Sequence, residues 1–233
     1  MGDTARFRRL ASAACLVVGP ALLLATTIVL PWQNDQDAAA TLQLAGDETV
    51  ATQIGDLLAF LGILAMIPAT LAVMRVLRRR APVLALVGGA ISIAGWVSAM
   101  IIVVTDQINI GLADATGARE EIAAALEGSS AWVLNVVVGG LLLGILVGPI
   151  VLGAGLMRAR VVTTWAGAAV AASAVLTVAA FAGDLQALDI LSSAVFLIGL
   201  LPVARLVGSV SDSEWDTGEI PSAAGPHREP VAA

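Results

Sequence analysis

Six apolar runs, at residues 10–30, 54–77, 83–104, 131–157, 161–181 and 188–207, constrain this chain more than any motif it carries. Each holds about the 20 residues that a helix rising about 1.5 Å per residue needs to cross a hydrocarbon core of about 30 Å. Most of the charge falls in the breaks between them; of 233 residues, 13% are charged and 58% hydrophobic. The pattern predicts an all-α integral membrane protein with six transmembrane helices, since lipid offers no partner for unpaired backbone groups and a helix pairs its own.

The turn at residues 75–82, Arg-Val-Leu-Arg-Arg-Arg-Ala-Pro, joins the second and third runs and orients the rest. Every basic residue is an arginine, and with these spans eleven of the twelve lie on one side, Arg119 being the exception. Twelve of the eighteen carboxylates lie on or near the opposite side. Cytoplasmic loops are the arginine-rich ones, so both termini are expected in the cytoplasm and the protein in the plasma (inner) membrane. The expected organisation is a basic cytoplasmic head at 1–9, a transmembrane domain at 10–207 with outer loops at 32–53 and 106–130, and a cytoplasmic tail at 208–233. The tail is rich in Ser, Asp, Glu, Pro and Gly and is expected to be disordered.

The first run reads as a retained helix. It is longer than the 7–15 apolar residues typical of a signal peptide, and Thr27-Ile-Val-Leu-Pro-Trp32 offers no small-x-small cleavage site. Trp32 suits the outer interface. In the first outer loop a short helix is expected at 37–45, with Asp37 as N-cap and Gly46 as stop; in the second, an amphipathic helix at 118–127 is stopped by Gly128. Asp56 is expected in the first turn of the second transmembrane helix, where the helix dipole favours a carboxylate.

Missing residue types exclude most membrane chemistry. His227 is the only histidine and lies in the tail, Cys15 is the only cysteine, and there is no lysine. Bis-histidine haem ligation, histidine metal sites, Ser-His and Ser-Lys nucleophiles, Schiff bases and intramolecular disulfides all lose a required partner. Asp106 and Asp184 both end runs on the outer side and read as solvated loop carboxylates rather than an aspartic protease pair. No catalytic residue, cofactor or metal ligand is expected, and arginines strung along membrane borders without stacking aromatics do not suit nucleic acid.

Three sets of residues remain as candidates. Asp56, Asp106, Asn135 and Asp189, with Gln107, Ser192 and Ser193 nearby, could line a polar vestibule in the outer part of the bundle, as a cation or solute pathway requires. Gly140, Gly144 and Gly148 share one face of the fourth helix and permit close helix packing, within the bundle or between copies of the chain. Arg75, Arg78, Arg79, Arg80, Arg158 and Arg160 could contact anionic lipid head groups or simply set topology.

The segment Gly55-Asp-Leu-Leu-Ala-Phe-Leu-Gly-Ile-Leu-Ala-Met-Ile-Pro-Ala-Thr-Leu-Ala-Val-Met-Arg75, continued by Arg78-Arg-Arg-Ala-Pro82 and Gly88-Gly89, resembles a family of small actinobacterial multi-pass membrane proteins of unknown function. Ala45-Gly-Asp47 and Asp106 fit the same pattern, and the resemblance covers residues 32–106. It implies fold and compartment and carries no activity or functional residues. The expectation is therefore a non-enzymatic accessory or regulatory protein of the membrane. Its partners would be the lipid bilayer and either another membrane protein or further copies of itself. The alternative is a small-solute or ion transporter with an acidic outer vestibule.

Overall fold

The computed structural model describes residues 2–30, 42, 49–116, 119–127 and 132–220. Among them there are eight helices and no strand: α1 (Gly2–Val29), α2 (Thr49–Leu77), α3 (Pro82–Thr116), α4 (Arg119–Glu127), α5 (Trp132–Ala159), α6 (Thr164–Gly183), α7 (Gln186–Ser209) and α8 (Asp212–Thr217). Six of these, all but α4 and α8, are long and apolar enough to cross a membrane. The architecture is that of an all-α, multi-pass membrane protein. Trp32, the expected helix at 37–45 apart from Leu42, and the motif at Ala45 to Asp47 lie outside the described residues, as do Arg228 and His227.

The long helices pack in chain order into a closed ring, α1 on α2, α2 on α3, α3 on α5, α5 on α6, α6 on α7, and α7 back on α1. The short connections from α2 to α3, α5 to α6 and α6 to α7 favour this arrangement, because a helix leaving a tight turn packs first on the one it has just left. Helix α2 also reaches α5 and α7 across the ring and is the most buried of the six. The half of the ring at the arginine-bearing turns is solid, with Leu16, Leu77, Leu156, Val161, Val203 and Val207 fully buried.

Glycine sets the closest seam. A Cβ on Gly144 would run into the Cα of Gly95, so α3 and α5 cross backbone to backbone at this point. Gly140 meets Ser98 and Gly148 meets Ser92 on the same seam. All three candidate packing glycines thus face α3 inside the ring.

Several expected boundaries move. α1 begins at Gly2, so Arg6, Arg8 and Arg9 belong to the first helix rather than to a separate head at 1–9. α2 begins at Thr49, which places Asp56 two turns inside the helix and not in its first turn. α3 runs on to Thr116, through the first part of the expected outer loop at 106–130; its 35 residues span about 52 Å at about 1.5 Å each. Ile108, Ile110 and Leu112 continue the apolar pattern past Asp106, and Ile110 packs with Ile122 of α4 against buried Leu42.

The largest departure is at the C-terminal end. Residues 210–220 do not leave the bundle as a disordered tail but fold across the arginine end. Ser211 caps α8 through a reciprocal box with Glu214, and Gly218 closes it in the left-handed conformation at φ 73°. Val210, Trp215 and Ile220 are buried beneath this short helix and join the main core. Three apolar anchors spaced five residues apart supply what composition alone hides.

Candidate functional site

The other half of the ring encloses a cavity of about 250 Å³ to which every one of the six long helices contributes. Its floor is Trp96, Pro149 and Phe196, and its upper wall holds Thr26 and Thr27 of α1, Ser173 and Thr177 of α6, and Asp189, Ser192 and Ser193 of α7. Helix geometry explains the polar stripe, since 189, 192, 193 and 196 recur at spacings of three and four and share one face of α7. Ser173 and Thr177 do the same on α6.

Apart from that of Ser193, the protons of these hydroxyls are already committed. Thr26 donates to Leu22 O at 3.0 Å, Thr27 to Leu24 O at 2.9 Å, and Ser173 to Val170 O at 2.8 Å. Ser192 donates across to Ser173 O at 2.7 Å, which leaves Thr177 as donor in its 2.7 Å contact with Ser192 Oγ. The indole N–H of Trp96 is bonded to Thr70 Oγ1 at 3.1 Å, and Thr70 passes its own proton to Met66 O. At the cavity mouth Gln186 donates to Thr27 O at 3.2 Å and ties α7 to α1. What faces the cavity is therefore mainly aromatic and aliphatic carbon, with a few hydroxyl oxygens, the hydroxyl of Ser193 and one carboxylate.

The four expected vestibule residues do not come together. Asp189 lines the cavity from the first turn of α7. Asp56 accepts a hydrogen bond from Gln107 in a separate groove between α2 and α3, lined also by Gln53, Phe60 and Val103. Asp106 is exposed near Asp56, and Asn135 is exposed at the start of α5. Successive residues on a helix point about 100° apart, and of Asp106 and Gln107 it is Gln107 that bonds Asp56 on α2. No family model, curated protein or solved structure matches this chain.

The arginine end is a second organised surface, and its partner is the chain itself. Arg75 donates to Trp215 O at 3.0 Å, Arg78 and Arg79 to Thr217 O at 3.2 and 3.0 Å, and Arg80 to Ala159 O and Ile220 O at 3.2 and 3.3 Å. Ion pairs join Arg8 to Asp216, Arg9 to Asp212 and Arg79 to Glu219. Four of the six arginines expected at lipid head groups are thus engaged by residues 215–220. Arg158 is exposed, and Arg160 takes a left-handed backbone at φ 50° where α5 ends.

The docked segment escaped the sequence reading because its overall composition is polar. A signal was present in Ser211-Asp-Ser-Glu214, a capping box, followed at once by Trp215, an aromatic with no polar role. Thr26 and Thr27 were missed for a different reason. Threonine is unremarkable in an apolar helix, and only the ring geometry points these two at the same space as Asp189.

Proposed function

We propose that the chain is a small-solute-binding protein of the plasma membrane, with both termini cytoplasmic and the cavity at Asp189 facing outward. The carrying observation is that all six long helices converge on one partly polar cavity. Pockets between bundled helices, apolar with a few placed polar groups, are where such proteins hold ligands. The arginine distribution supports the orientation.

The layer beneath Trp96 favours binding over open conduction. Leu156, Leu77, Val203 and Val207 are fully buried on the arginine side, so a solute reaching Trp96 meets packed side chains rather than a path. Transport by this bundle requires rearrangement of that layer. No chemical step is part of this reading.

Gentle extraction into nanodiscs followed by native mass spectrometry tests the proposal. A discrete small ligand should remain on the wild-type chain and be lost when Ala99→Phe fills the cavity. A second polypeptide at fixed stoichiometry, retained equally by both chains and without a small ligand, would favour a non-enzymatic accessory or regulatory partner instead.

A further inference from the structure

The solute reading leaves the ligand's chemistry open, and the walls decide it. The oxygens that face the cavity from Thr26, Thr27, Ser173 and Thr177 have spent their protons on other acceptors, and Trp96 has spent its own on Thr70. Of the lining hydroxyls, Ser193 is the only one whose proton is not so committed among the described residues. Asp189 adds a negative charge, and no arginine lines the space. A wall that accepts but scarcely donates, in a site of low dielectric, rejects anions and matches a ligand that brings both N–H groups and positive charge.

We propose that the cavity takes a small primary or secondary organic ammonium ion, with Asp189 as counter-ion and the hydroxyl oxygens as acceptors for its N–H groups. This rests on the reading of the cavity as a solute site. Asp189 stands in the first turn of α7, the end of the helix whose dipole favours a carboxylate. Trp96 and Phe196 line the same space, and aromatic rings are partners that a cation can use and its neutral isostere cannot. At about 30 Å³ per water-sized group, a volume of about 250 Å³ holds on the order of eight of them, enough for a short alkyl ammonium.

The test is isothermal titration of the full chain in nanodiscs with n-butylammonium and with n-butanol, its neutral isostere, after subtraction of empty nanodiscs. Wild type should bind the ammonium at least about tenfold more tightly than the alcohol. Asp189→Asn should remove that preference while leaving the alcohol's affinity unchanged, which also shows that the variant is folded, and Asp189→Glu should retain it. Ala99→Phe should abolish saturable binding of both. Equal binding of the two ligands, indifferent to Asp189→Asn yet abolished by Ala99→Phe, would overturn the ammonium assignment and leave the solute site standing. No saturable binding of either ligand to the folded wild type would overturn both.

Discussion

The guanidinium of Arg75 lies 5.0 Å from the ring centre of Trp215 and, at the same time, donates to that residue's backbone carbonyl at 3.0 Å. One arginine therefore holds both the face and the backbone of the residue that anchors α8. Trp215 is 2% exposed, so its indole is seated as deeply as any core side chain. The arginine turn between α2 and α3 serves as a receptor for the chain's own segment 210–220.

Trp215→Ala should release residues 210–220 while leaving the six-helix ring intact. Removing a buried tryptophan costs about 3–5 kcal/mol, and the cation–π contact contributes about 1 kcal/mol of attraction besides. Hydrogen exchange should show amides of α8 losing protection in this variant and those of α2 and α5 keeping it. Unchanged protection at α8 would mean that the arginines alone hold the segment.

The arginines should not contribute equally. Arg9 is mostly buried, pairs with Asp212 at 2.9 Å and donates to the carbonyls of Val207 and Gly208 at the end of α7. Arg79 and Glu219 are both more than half exposed, and an exposed pair is worth about 0–1 kcal/mol. Arg9→Ala should therefore lower the thermal midpoint measurably, by loss of charge-assisted bonds of about 1.5–3 kcal/mol each at most, while Arg79→Ala should move it little. Equal shifts in a thermal melt of the two variants would contradict this ranking.

Acid should loosen the same segment. Glu214 accepts hydrogen bonds from the Ser211 backbone N–H at 2.7 Å and from its hydroxyl, and these hold its carboxyl below the usual glutamate range. A depressed folded value means that the free segment takes up its proton first as pH falls. The contribution is thus fully present above the ordinary glutamate pKa and is lost as pH drops through the lower folded value. Exchange protection of α8, followed from neutral pH to below about 4.3, should fall in wild type and show a shallower pH dependence in Glu214→Gln.

Two glycines on one helix should respond unequally to enlargement. Gly144→Leu drives a side chain into the Gly95 backbone and should prevent the α3–α5 crossing, whereas a Cβ on Gly139 meets nothing within 4 Å. Overpacking a seam costs about 1–3 kcal/mol and more when the obstacle is backbone, against about 0.5 kcal/mol for an open surface position. Thermal unfolding in a mild detergent separates the two, and a stable Gly144→Leu bundle would contradict the observed crossing.

Much of this fold was legible in the chain. The six apolar runs match six long helices because a span needs about 20 residues whatever it packs against. The boundaries were less legible. α1 and α3 extend past the apolar runs because nothing in Arg6 to Arg9 or in residues 105–116 breaks a helix strongly, while hydropathy reports solvent preference rather than helix continuity. The spacing of Gly140, Gly144 and Gly148 marked a close-packing face, yet it could not say which helix would occupy it.

The candidate site divides along the same line. Sequence alone determined the span count, the segregation of arginine from carboxylate, the lack of lysine and the confinement of histidine to His227, because each of these is a property of residues taken singly or in short windows. Tertiary structure decided that Asp189 shares a cavity with Thr26 and Ser173 while Asp56 belongs to another groove, and that Trp215 docks under Arg75 across 140 residues. Those outcomes depend on the rotation of each helix about its axis and on which helices become neighbours. In lipid, apolar exteriors leave rotation unspecified by hydropathy, so packing of small residues and a few hydrogen bonds settles it.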